Sequence, residues 1–398
     1  MTDAVRTSAS TEAVAPLLEI DHLSVMFPVR AGTWGGVVGH VHAVDDVTLT
    51  LAEGETLGLV GESGCGKTTL ARTLVRLTEP TGGTIRFRGE DLTAKGHRDL
   101  RGFRRYVQMV FQDPQASLNP RKRISQIVGA GIRLRGTSKG AQARRDVEAL
   151  LARVGLDPDH AQRYPHEFSG GQRQRIGIAR ALAADPKLVI LDEPVSALDV
   201  SIQAQIVNLL DDLQDELALS YVFVAHDLSV VRHVSDRIAV MYLGKIVELS
   251  PADELYAKPM HPYTASLLDA VPIPDPDRRR DRRRLVGELP SATNPPPGCR
   301  FHTRCPWATD LCTEVEPPLA EFPNGHQVAC HHPLNATPAQ LAEATRAESS
   351  PRSSGAELTL SPAEAHKVEI DDAQGQDDTH RVPGGGAGHA GNPGAPSS

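Results

Sequence analysis

The sequence predicts an α/β fold, in which a parallel sheet is covered by helices on both faces. Residues Gly61–Thr68 fit the pattern G-x-x-x-x-G-K-[ST] of a P-loop. The apolar run Thr56–Val60 before them is typical of a buried strand, and Leu70–Leu77 after them has the apolar spacing of a helix. Further short apolar runs alternate with helical segments later in the chain. Because strand, loop and helix occur in the order that a P-loop requires, we expect this stretch to bind a nucleoside triphosphate.

Each residue type that the P-loop pattern specifies has its own expected role in binding the triphosphate. Its glycines let backbone N–H groups close around phosphates, and the helix N-terminus adds the positive end of its dipole. Lys67 is expected to reach the β- and γ-phosphates, and the Thr68 hydroxyl to ligate Mg²⁺. A glycine-rich turn that matches by accident is the alternative, and the flanking strand and helix disfavour it.

The composition narrows the class of protein. The 398 residues are 40% hydrophobic, carry a net charge of −8 and have a pI near 6.1, which argues against a general nucleic-acid binder. The sequence has no run of 18 apolar residues and no signal peptide pattern, so we expect a soluble, cytosolic chain that reaches a membrane through partners. Of five cysteines, one lies in the P-loop and four lie between positions 299 and 330. In a reducing compartment such clustering favours metal ligation over disulfides.

The remaining elements follow in order along the chain. Strands are predicted at 17–27, 41–51, 84–87, 107–111, 187–191 and 221–225, with a strand pair at 237–248. The glycine-rich stretch 28–40 is interpreted as an insertion in the first hairpin, and 202–217 has helical periodicity. An Arg- and Ala-rich region with apolar residues at Val147, Leu150, Leu151 and Val154 predicts a helical subdomain inserted into the core.

These features predict four regions. They are a disordered arm at 1–16, a nucleotide-binding domain at 17–255 with its helical subdomain at about 115–180, a small C-terminal extension with four cysteines at 256–334, and a disordered tail at 335–398. The tail is rich in Ala, Gly, Ser, Pro and acidic residues, so it cannot bury enough apolar surface to fold. No internal repeat is evident, which predicts one nucleotide-binding unit rather than two.

Two carboxylates end the apolar run that begins at Leu188. In a P-loop protein Asp192 would hold Mg²⁺, directly or through water, and Glu193 would orient or deprotonate the attacking water. Acids that simply end a strand are the alternative, and the P-loop earlier in the chain makes that interpretation weaker.

The segment Phe168–Gln172 (FSGGQ) predicts the start of a helix that can approach an anion. Ser169 is a typical N-cap, and Gly170 and Gly171 allow close backbone approach to a negative group. Taken alone, the segment could be a capped helix after a loop. Its place between a P-loop and an acidic strand end favours a nucleotide contact instead.

In this order the motifs resemble those of the ATPase subunit of an ATP-binding cassette (ABC) transporter over about residues 17–250. Phe168 stands where Leu is more usual in the signature motif. The resemblance implies four sets of ATP contacts. Phe27 would be the adenine-stacking aromatic, and Asp199 would be the D-loop aspartate. The Walker A loop would be Gly61, Glu62, Ser63, Gly64, Cys65, Gly66, Lys67, Thr68 and Thr69, and the signature motif would be Ser169, Gly170, Gly171 and Gln172.

The same resemblance implies the catalytic and magnesium-binding residues. Gln112 would be the Q-loop glutamine, which touches Mg²⁺ and faces the transmembrane subunit. Asp192 would be the Walker B ligand of Mg²⁺ together with Thr68, Glu193 the catalytic base, and His226 the histidine that faces the γ-phosphate. A lone histidine after a strand is more often structural, and the order of the motifs favours the catalytic role.

Three segments narrow the resemblance to dipeptide and oligopeptide importers, a subfamily that also includes nickel and glutathione importers. They are Val110–Pro120, Ser196–Gln205 and His261–Thr264, joined by the late cysteines. The resemblance implies a head-to-tail pair of ATPase subunits, this chain with itself or with a similar one, that splits each ATP between Lys67 of one subunit and the Ser169 segment of the other. It also implies two membrane permeases, an extracytoplasmic solute-binding protein and a place on the cytoplasmic face of the membrane.

Two other functions compete with an importer ATPase. A soluble ABC ATPase of translation or repair usually carries two cassettes or a long coiled-coil insertion, and neither is evident here. A non-hydrolysing regulatory or metal-sensing module is disfavoured by the intact Glu193 and His226.

Cys299, Cys305, Cys312 and Cys330 suggest a loop folded around a metal. Their spacings of five, six and seventeen residues fit neither zinc-finger pairs nor the ferredoxin run, so spacing does not choose the metal. The resemblance favours a [4Fe–4S] cluster held by all four, with structural zinc as the alternative. Two disulfides are a further alternative. A structural role is expected because the segment is remote in sequence from every ATP motif.

Overall fold

A computed structural model describes residues 15–31, 36–96, 98–270 and 287–342 of the chain. Most of the predicted arm, at 1–14, and of the predicted tail, at 343–398, lies outside these residues, so disorder there stays a prediction, as do the domain boundaries. Within the described ranges no helix has both the length and the apolar character that crossing a bilayer requires.

The described residues form twelve strands. They are β1 Leu18–Ala31, β2 Gly36–Leu51, β3 Thr56–Val60, β4 Gly82–Phe87, β5 Glu90–Asp91, β6 Val107–Val110, β7 Leu188–Asp192, β8 Ser220–Ala225, β9 Arg237–Tyr242, β10 Lys245–Pro251, β11 Ala320–Phe322 and β12 His326–Val328.

The described residues also form eleven α-helices. They are α1 Lys67–Leu74, α2 Phe103–Tyr106, α3 Pro114–Ser117, α4 Ile124–Arg135, α5 Gly140–Arg153, α6 Gly170–Leu182, α7 Val200–Leu217, α8 Leu228–Val234, α9 Ala252–Ala257, α10 Pro262–Ala270 and α11 Asp310–Glu314.

The larger sheet has the strand order β11-β12-β10-β9-β3-β8-β7-β6. Strands β9, β3, β8, β7 and β6 are parallel to one another, which confirms the predicted parallel core, and β10 joins this core antiparallel to β9. Successive residues of β3 face opposite sides: Leu59 packs in one hydrophobic cluster and Val60 in another. Because both faces are buried, each strand is a continuous apolar run rather than an alternating one.

The smaller sheet is antiparallel, in the order β2-β1-β4-β5. The predicted first hairpin is present, but its strands extend into the glycine-rich stretch, since Arg30 pairs with Val37. Residues 28–31 and 36–40 are therefore strand rather than a separate insertion. The cause is cross-strand pairing, which holds an extended backbone even where glycine weakens the local preference.

The inserted helical region, predicted over about 115–180, contains α3, α4, α5 and most of α6. Of the apolar residues that predicted this region, Val147, Leu151 and Val154 are buried in the same hydrophobic cluster as Val189 of β7, and Leu150 packs against it partly buried. The inserted helices thus share one core with one face of the sheet.

Strands β11 and β12 add to the edge of the core sheet, which the sequence did not reveal. Strand β12 pairs antiparallel with β10, where Glu248 lies opposite Val328. The Glu248 carboxylate is fully buried and accepts hydrogen bonds from the backbone N–H groups of Met260 (2.6 Å) and His261 (2.9 Å), while its Oε1 lies 2.7 Å from His326 Nε2. Packing also continues past 334, since Ala336 lies against the hydrophobic cluster of Met260, Phe322 and Val328.

Candidate active site

The P-loop leaves β3 at Val60 and enters α1 at Lys67, as the sequence predicts. Gly61 has φ 152° and a Cβ there would lie 2.2 Å from the Met241 carbonyl oxygen. Gly66 has φ 112° and a Cβ there would lie 2.0 Å from the Ala43 carbonyl oxygen. Glycine is therefore required at both positions by conformation and by close approach of the neighbouring backbone.

Lys67 is almost fully buried, and its ammonium group lies under the loop. Its Nζ donates hydrogen bonds to the carbonyl oxygens of Gly61 (2.8 Å) and Glu62 (2.9 Å). It also lies 3.8 Å from the sulfur of Cys65, whose pKa is raised by burial despite this nearby positive charge. The carbonyl groups of the P-loop thus fix the position of the Lys67 ammonium group. Ser63 and Gly64 form the exposed tip, and Thr69 belongs to the first turn of α1.

The hydroxyl of Thr68 donates to Asp192 Oδ1 at 3.0 Å, which joins the P-loop to the end of β7. Asp192 is buried; burial raises its pKa, and the Thr68 hydrogen bond opposes that shift. A hydroxyl and a carboxylate at this distance are hard oxygen donors, which suit Mg²⁺. Because such a site keeps several waters and phosphate oxygens as ligands, two protein side chains fit it.

Two predicted catalytic residues, Gln112 and His226, lie next to the third, Glu193. Its Oε2 accepts a hydrogen bond from Gln112 Nε2 at 2.8 Å and lies 3.5 Å from His226 Nδ1. Glu193 has φ 45°, a left-handed conformation that costs a non-glycine residue about 1–2 kcal/mol. Hydrogen bonds fix this turn: the Glu193 N–H donates to Val224 and its carbonyl accepts from Ser196. Backbone strain held in this way is typical of functional positions.

Phe27 lies on β1, where the residue is 43% exposed. It pairs with Val41 of β2, two residues before Ala43, whose carbonyl oxygen approaches Gly66. The predicted aromatic contact is therefore on the strand pair that flanks the P-loop.

The predicted signature segment begins α6. Ser169 Oγ accepts from the N–H of Gln172 (3.3 Å), and Gln172 Oε1 accepts from the N–H of Ser169 (3.0 Å). This reciprocal pair is a capping box, which stabilises the helix start. Gly171 packs so closely on α7 that a Cβ would lie 2.6 Å from Ile202 Cγ2.

Asp199 is the N-cap of α7, beside the same segment. Its Oδ1 accepts from the Ser201 hydroxyl (2.7 Å) and from the Ile202 N–H (3.0 Å), and these bonds hold its pKa below the usual value. Among the described residues no hydrogen bond or ion pair joins this segment to the P-loop. The predicted site residues therefore form two groups, one around Lys67 and Glu193 and one around Ser169 and Asp199.

The four late cysteines line one small pocket, together with four histidines, His261, His302, His331 and His332. All of these cysteines are free, so the alternative of two disulfides is not what the structure has. Burial raises the pKa of Cys299 to about 11 and that of Cys330 to about 12, and it also raises that of Cys305.

The donor chemistry of this pocket fits a thiophilic metal, since sulfur and imidazole donors surround one space. However, in the described part of the chain no three Cys, His, Asp or Glu side chains are close enough to hold a metal ion. Convergence of the predicted ligands is therefore observed, whereas the predicted [4Fe–4S] or zinc centre is not supported by the geometry.

Known proteins share both the fold and the motifs. A family model described as "ABC transporter" matches residues 44–196. The ATP-binding cassette MJ0796, solved as a dimer bound to ADP and Pi, is 28% identical, with a TM-score of 0.53, and the match covers 59% of this chain and 98% of that one. CbiO1 from Clostridium perfringens is 26% identical, with a TM-score of 0.52, over 61% of this chain and 91% of that one. The fold and the site therefore define an ABC ATPase.

The relatives and a second family model narrow this class. The model described as "Oligopeptide/dipeptide transporter, C-terminal region" matches residues 247–312. The oligopeptide transport ATP-binding protein AppF of Bacillus subtilis is 54% identical over 82% of this chain and 99% of its own length. A probable peptide ABC transporter ATP-binding protein, y4tS, of Sinorhizobium fredii is 53% identical over 79% of this chain and 89% of its own. The chain belongs to the ATP-binding proteins of the oligopeptide and dipeptide ABC transporters, which confirms the family predicted from its motifs.

Proposed function

We propose that this chain is the ATP-hydrolysing subunit of a membrane importer that powers the uptake of dipeptides or oligopeptides through partner permeases. The observation that carries the proposal is the meeting of Gln112 and His226 at the Glu193 carboxylate, beside a complete P-loop. The relatives named for oligopeptide and peptide transport support the choice of solute. An importer of nickel or glutathione is the alternative within the subfamily.

At this site Glu193 orients or deprotonates the water that attacks the γ-phosphorus. The new bond from the water oxygen forms as the bond to the β–γ bridging oxygen breaks, which yields ADP and phosphate. Lys67 binds the β- and γ-phosphates, and His226 binds the γ-phosphate on the side of Glu193. Thr68 and Asp192, with Gln112, would hold Mg²⁺, which neutralises charge that develops on the phosphates. Phosphoryl transfer depends mainly on such positioning and charge stabilisation.

The Ser169 segment acts on the ATP of a second subunit. Its glycines and its exposed cap offer a partner's phosphate the positive end of α6. A site divided between two chains couples closure of the dimer to hydrolysis, and closure would move the permeases through contacts near Gln112 and the helices at 115–180. The partner is a second copy of this chain or a similar ATPase, on the cytoplasmic face of the membrane. The peptide itself is recognised by an extracytoplasmic binding protein and the permeases.

Purification of the tagged full chain from membranes tests this function. Two permeases should co-purify, and the ATPase rate of the complex in vesicles should rise when a peptide-loaded binding protein is added. A complex stimulated by nickel or glutathione but not by peptides would select the alternative. Purification of the tagged chain from membranes without any permease would contradict a transport role.

We also propose that Cys299, Cys305, Cys312 and Cys330 bind a metal, as a [4Fe–4S] cluster or alternatively as zinc. Their convergence on one pocket supports this proposal, although their present separation does not make a coordination group. A bound metal would supply folding energy to a segment with a small core. Anaerobic purification followed by metal analysis and absorption near 400 nm tests it. Stoichiometric zinc without iron would select the alternative, and free thiols without metal would overturn both.

A further inference from the structure

Glu62, the second residue of the P-loop, is held by two residues from beyond position 260. Its backbone N–H donates to the phenol oxygen of Tyr263 at 2.9 Å. Its carboxylate Oε2 accepts from Arg304 Nη1 at 3.0 Å. Tyr263 begins helix α10, in the His261–Thr264 motif, and Arg304 lies in the cysteine segment, defined here as residues 299–330. Backbone and side chain of one P-loop residue are therefore both fixed from the C-terminal part of the chain.

The contact between Arg304 and Glu62 is shielded from water. The Arg304 side chain is only 6% exposed, and its guanidinium also lies 3.4 Å from the phenol oxygen of Tyr242. Burial alone would lower the pKa of Arg304, but the hydrogen bonds to Glu62 and Tyr242 outweigh it and raise that pKa. A charge-assisted hydrogen bond in such a place is roughly twice as strong as a neutral one.

An aromatic cluster packs around both hydrogen-bond partners of Glu62, the acceptor Tyr263 and the donor Arg304. The rings of Tyr242 and Tyr263 have centroids 4.7 Å apart, and each lies within 5.5 Å of the Phe301 ring centroid. All three residues are fully buried. Phe301 lies three residues before Arg304, between two of the cysteines, so the packing of the cysteine segment determines where the guanidinium can reach.

Arg300 connects the cysteine segment to the Cys65 end of the P-loop. It donates to the Leu243 carbonyl and forms an ion pair with Asp45. The next residue, Gly244, donates its N–H to the Cys65 carbonyl oxygen at 2.8 Å. The cysteine segment therefore contacts the P-loop directly at Glu62 and indirectly at Cys65.

We propose that Arg304 and Tyr263 are positioning residues for nucleotide binding, and that through them the cysteine segment sets the conformation of the P-loop. The link to ATP is Lys67, whose Nζ donates to the Glu62 carbonyl oxygen at 2.9 Å. A shift of Glu62 moves this acceptor and with it the ammonium group. The inference rests on the proposed contact of Lys67 with the phosphates.

Two variants test the positioning role in the full chain, with a fluorescent ATP analogue as the probe. Arg304→Gln removes the charged donor, and we expect the Kd of the analogue and the KM for ATP to rise about tenfold. Tyr263→Phe keeps the ring in the aromatic cluster but removes the acceptor of the Glu62 N–H, and we expect a rise of about threefold. Since neither residue touches Glu193, kcat at saturating ATP should change by less than about twofold.

Glu316→Gln is the matched control. It breaks the ion pair of Glu316 with Lys245 (2.6 Å), which also joins the C-terminal part of the chain to the core sheet but does not touch Glu62. We expect its Kd and KM to match those of the wild type. If Glu316→Gln weakens nucleotide binding as much as Arg304→Gln does, the effect is general loosening and the inference is wrong.

A double-mutant cycle identifies the route of the effect. If Arg304 acts through Glu62, then Arg304→Gln should add little in a Glu62→Ala background, although each single variant weakens binding. Additive losses, or losses that only follow a lower Tm, would overturn the inference. Arg304→Lys, which keeps the charge, should restore part of the affinity even if Arg304→Gln folds poorly. A wild-type chain that does not bind the analogue would instead contradict the proposed function.

Discussion

The two groups of nucleotide residues differ in how their polar side chains are satisfied. Around the P-loop, Lys67 donates to carbonyl oxygens of the loop, and the Thr68 hydroxyl donates to Asp192, which is 124 positions away in sequence. At the start of α6, Ser169 and Gln172 bond to each other, and Ser169 is exposed. The first group, called here the finished group, has partners for its polar side chains within one chain, whereas the second, the open group, is a stable helix start with an exposed face. This difference is what a site completed by a second subunit requires.

The largest expected effect falls on the finished group. Glu193→Gln keeps the shape and the hydrogen bond from Gln112 but removes the base, so ATP hydrolysis should fall by about 10²–10⁴-fold while ATP still binds. The closed, ATP-loaded dimer should then accumulate. Single-turnover hydrolysis and size-exclusion chromatography with ATP measure both effects. Near wild-type turnover would exclude Glu193 as the base.

Lys67→Ala provides the contrast to that prediction. It removes a contact to the phosphates that exists before the reaction, so nucleotide binding itself should weaken along with turnover. Equal ATP affinity in Lys67→Ala and wild type would show that the lysine is not the phosphate ligand.

A smaller effect, still large in the assembled transporter, is expected at the open group. Ser169→Arg places bulk and charge where a partner's phosphate would lie, so the ATPase rate of the complex should fall at least about tenfold. ATP binding by the variant's own P-loop should be unchanged, because no hydrogen bond joins the two groups within the described part of the chain. Equilibrium binding and steady-state hydrolysis on the same preparation separate the two. An unchanged rate would mean that this helix start does not face the active nucleotide.

The smallest expected effect is on stability, and it should differ between the two glycines of the signature segment, Gly170 and Gly171. Gly171→Ala forces a contact of 2.6 Å with Ile202, and we expect the free energy of unfolding to fall by about 1–3 kcal/mol, with a lower ATPase rate. In Gly170→Ala the added carbon would lie 3.5 Å from Leu198, an ordinary contact, so this variant is the matched control. Urea unfolding curves measure both, and equal stability of the two variants would contradict the packing argument.

Sequence patterns predicted those parts of the molecule that are formed by residues close together in sequence. The P-loop, the buried strand that ends at Asp192 and the cap at Ser169 need a few residue types at fixed spacing, and the structure places these residues as predicted. The role of Glu193 was predicted from the acidic end of its strand, whereas the roles of Gln112 and His226 were predicted through resemblance, because these residues are far apart in sequence and meet only beyond the carboxyl ends of β6, β7 and β8.

The C-terminal part of the chain was predicted less well. Strand β12 has three residues, too few to show an alternating pattern, and it exists because β10 offers an edge to pair with. The contact of Arg304 with Glu62 spans 242 positions, and no spacing rule connects them. The cysteine segment is remote in sequence from the ATP motifs, but this distance in sequence gave no indication that Arg304 contacts the P-loop. Tyr263, in the His261–Thr264 motif, was the available indication that this part of the chain has a specific role, but its hydrogen-bond partner, Glu62, was not predictable from the sequence.

The buried Glu248 has a consequence for shortened forms of this protein. A chain that ends with the cassette, near residue 255, would lose Met260, His261 and His326, the partners of a carboxylate with no exposed surface. It would also leave the edge of β10 without β12, and bare sheet edges recruit strands from other molecules. Such a fragment would combine a carboxyl group that has lost its hydrogen-bond partners with an unpaired strand edge, so it would precipitate or self-associate although every ATP motif is present.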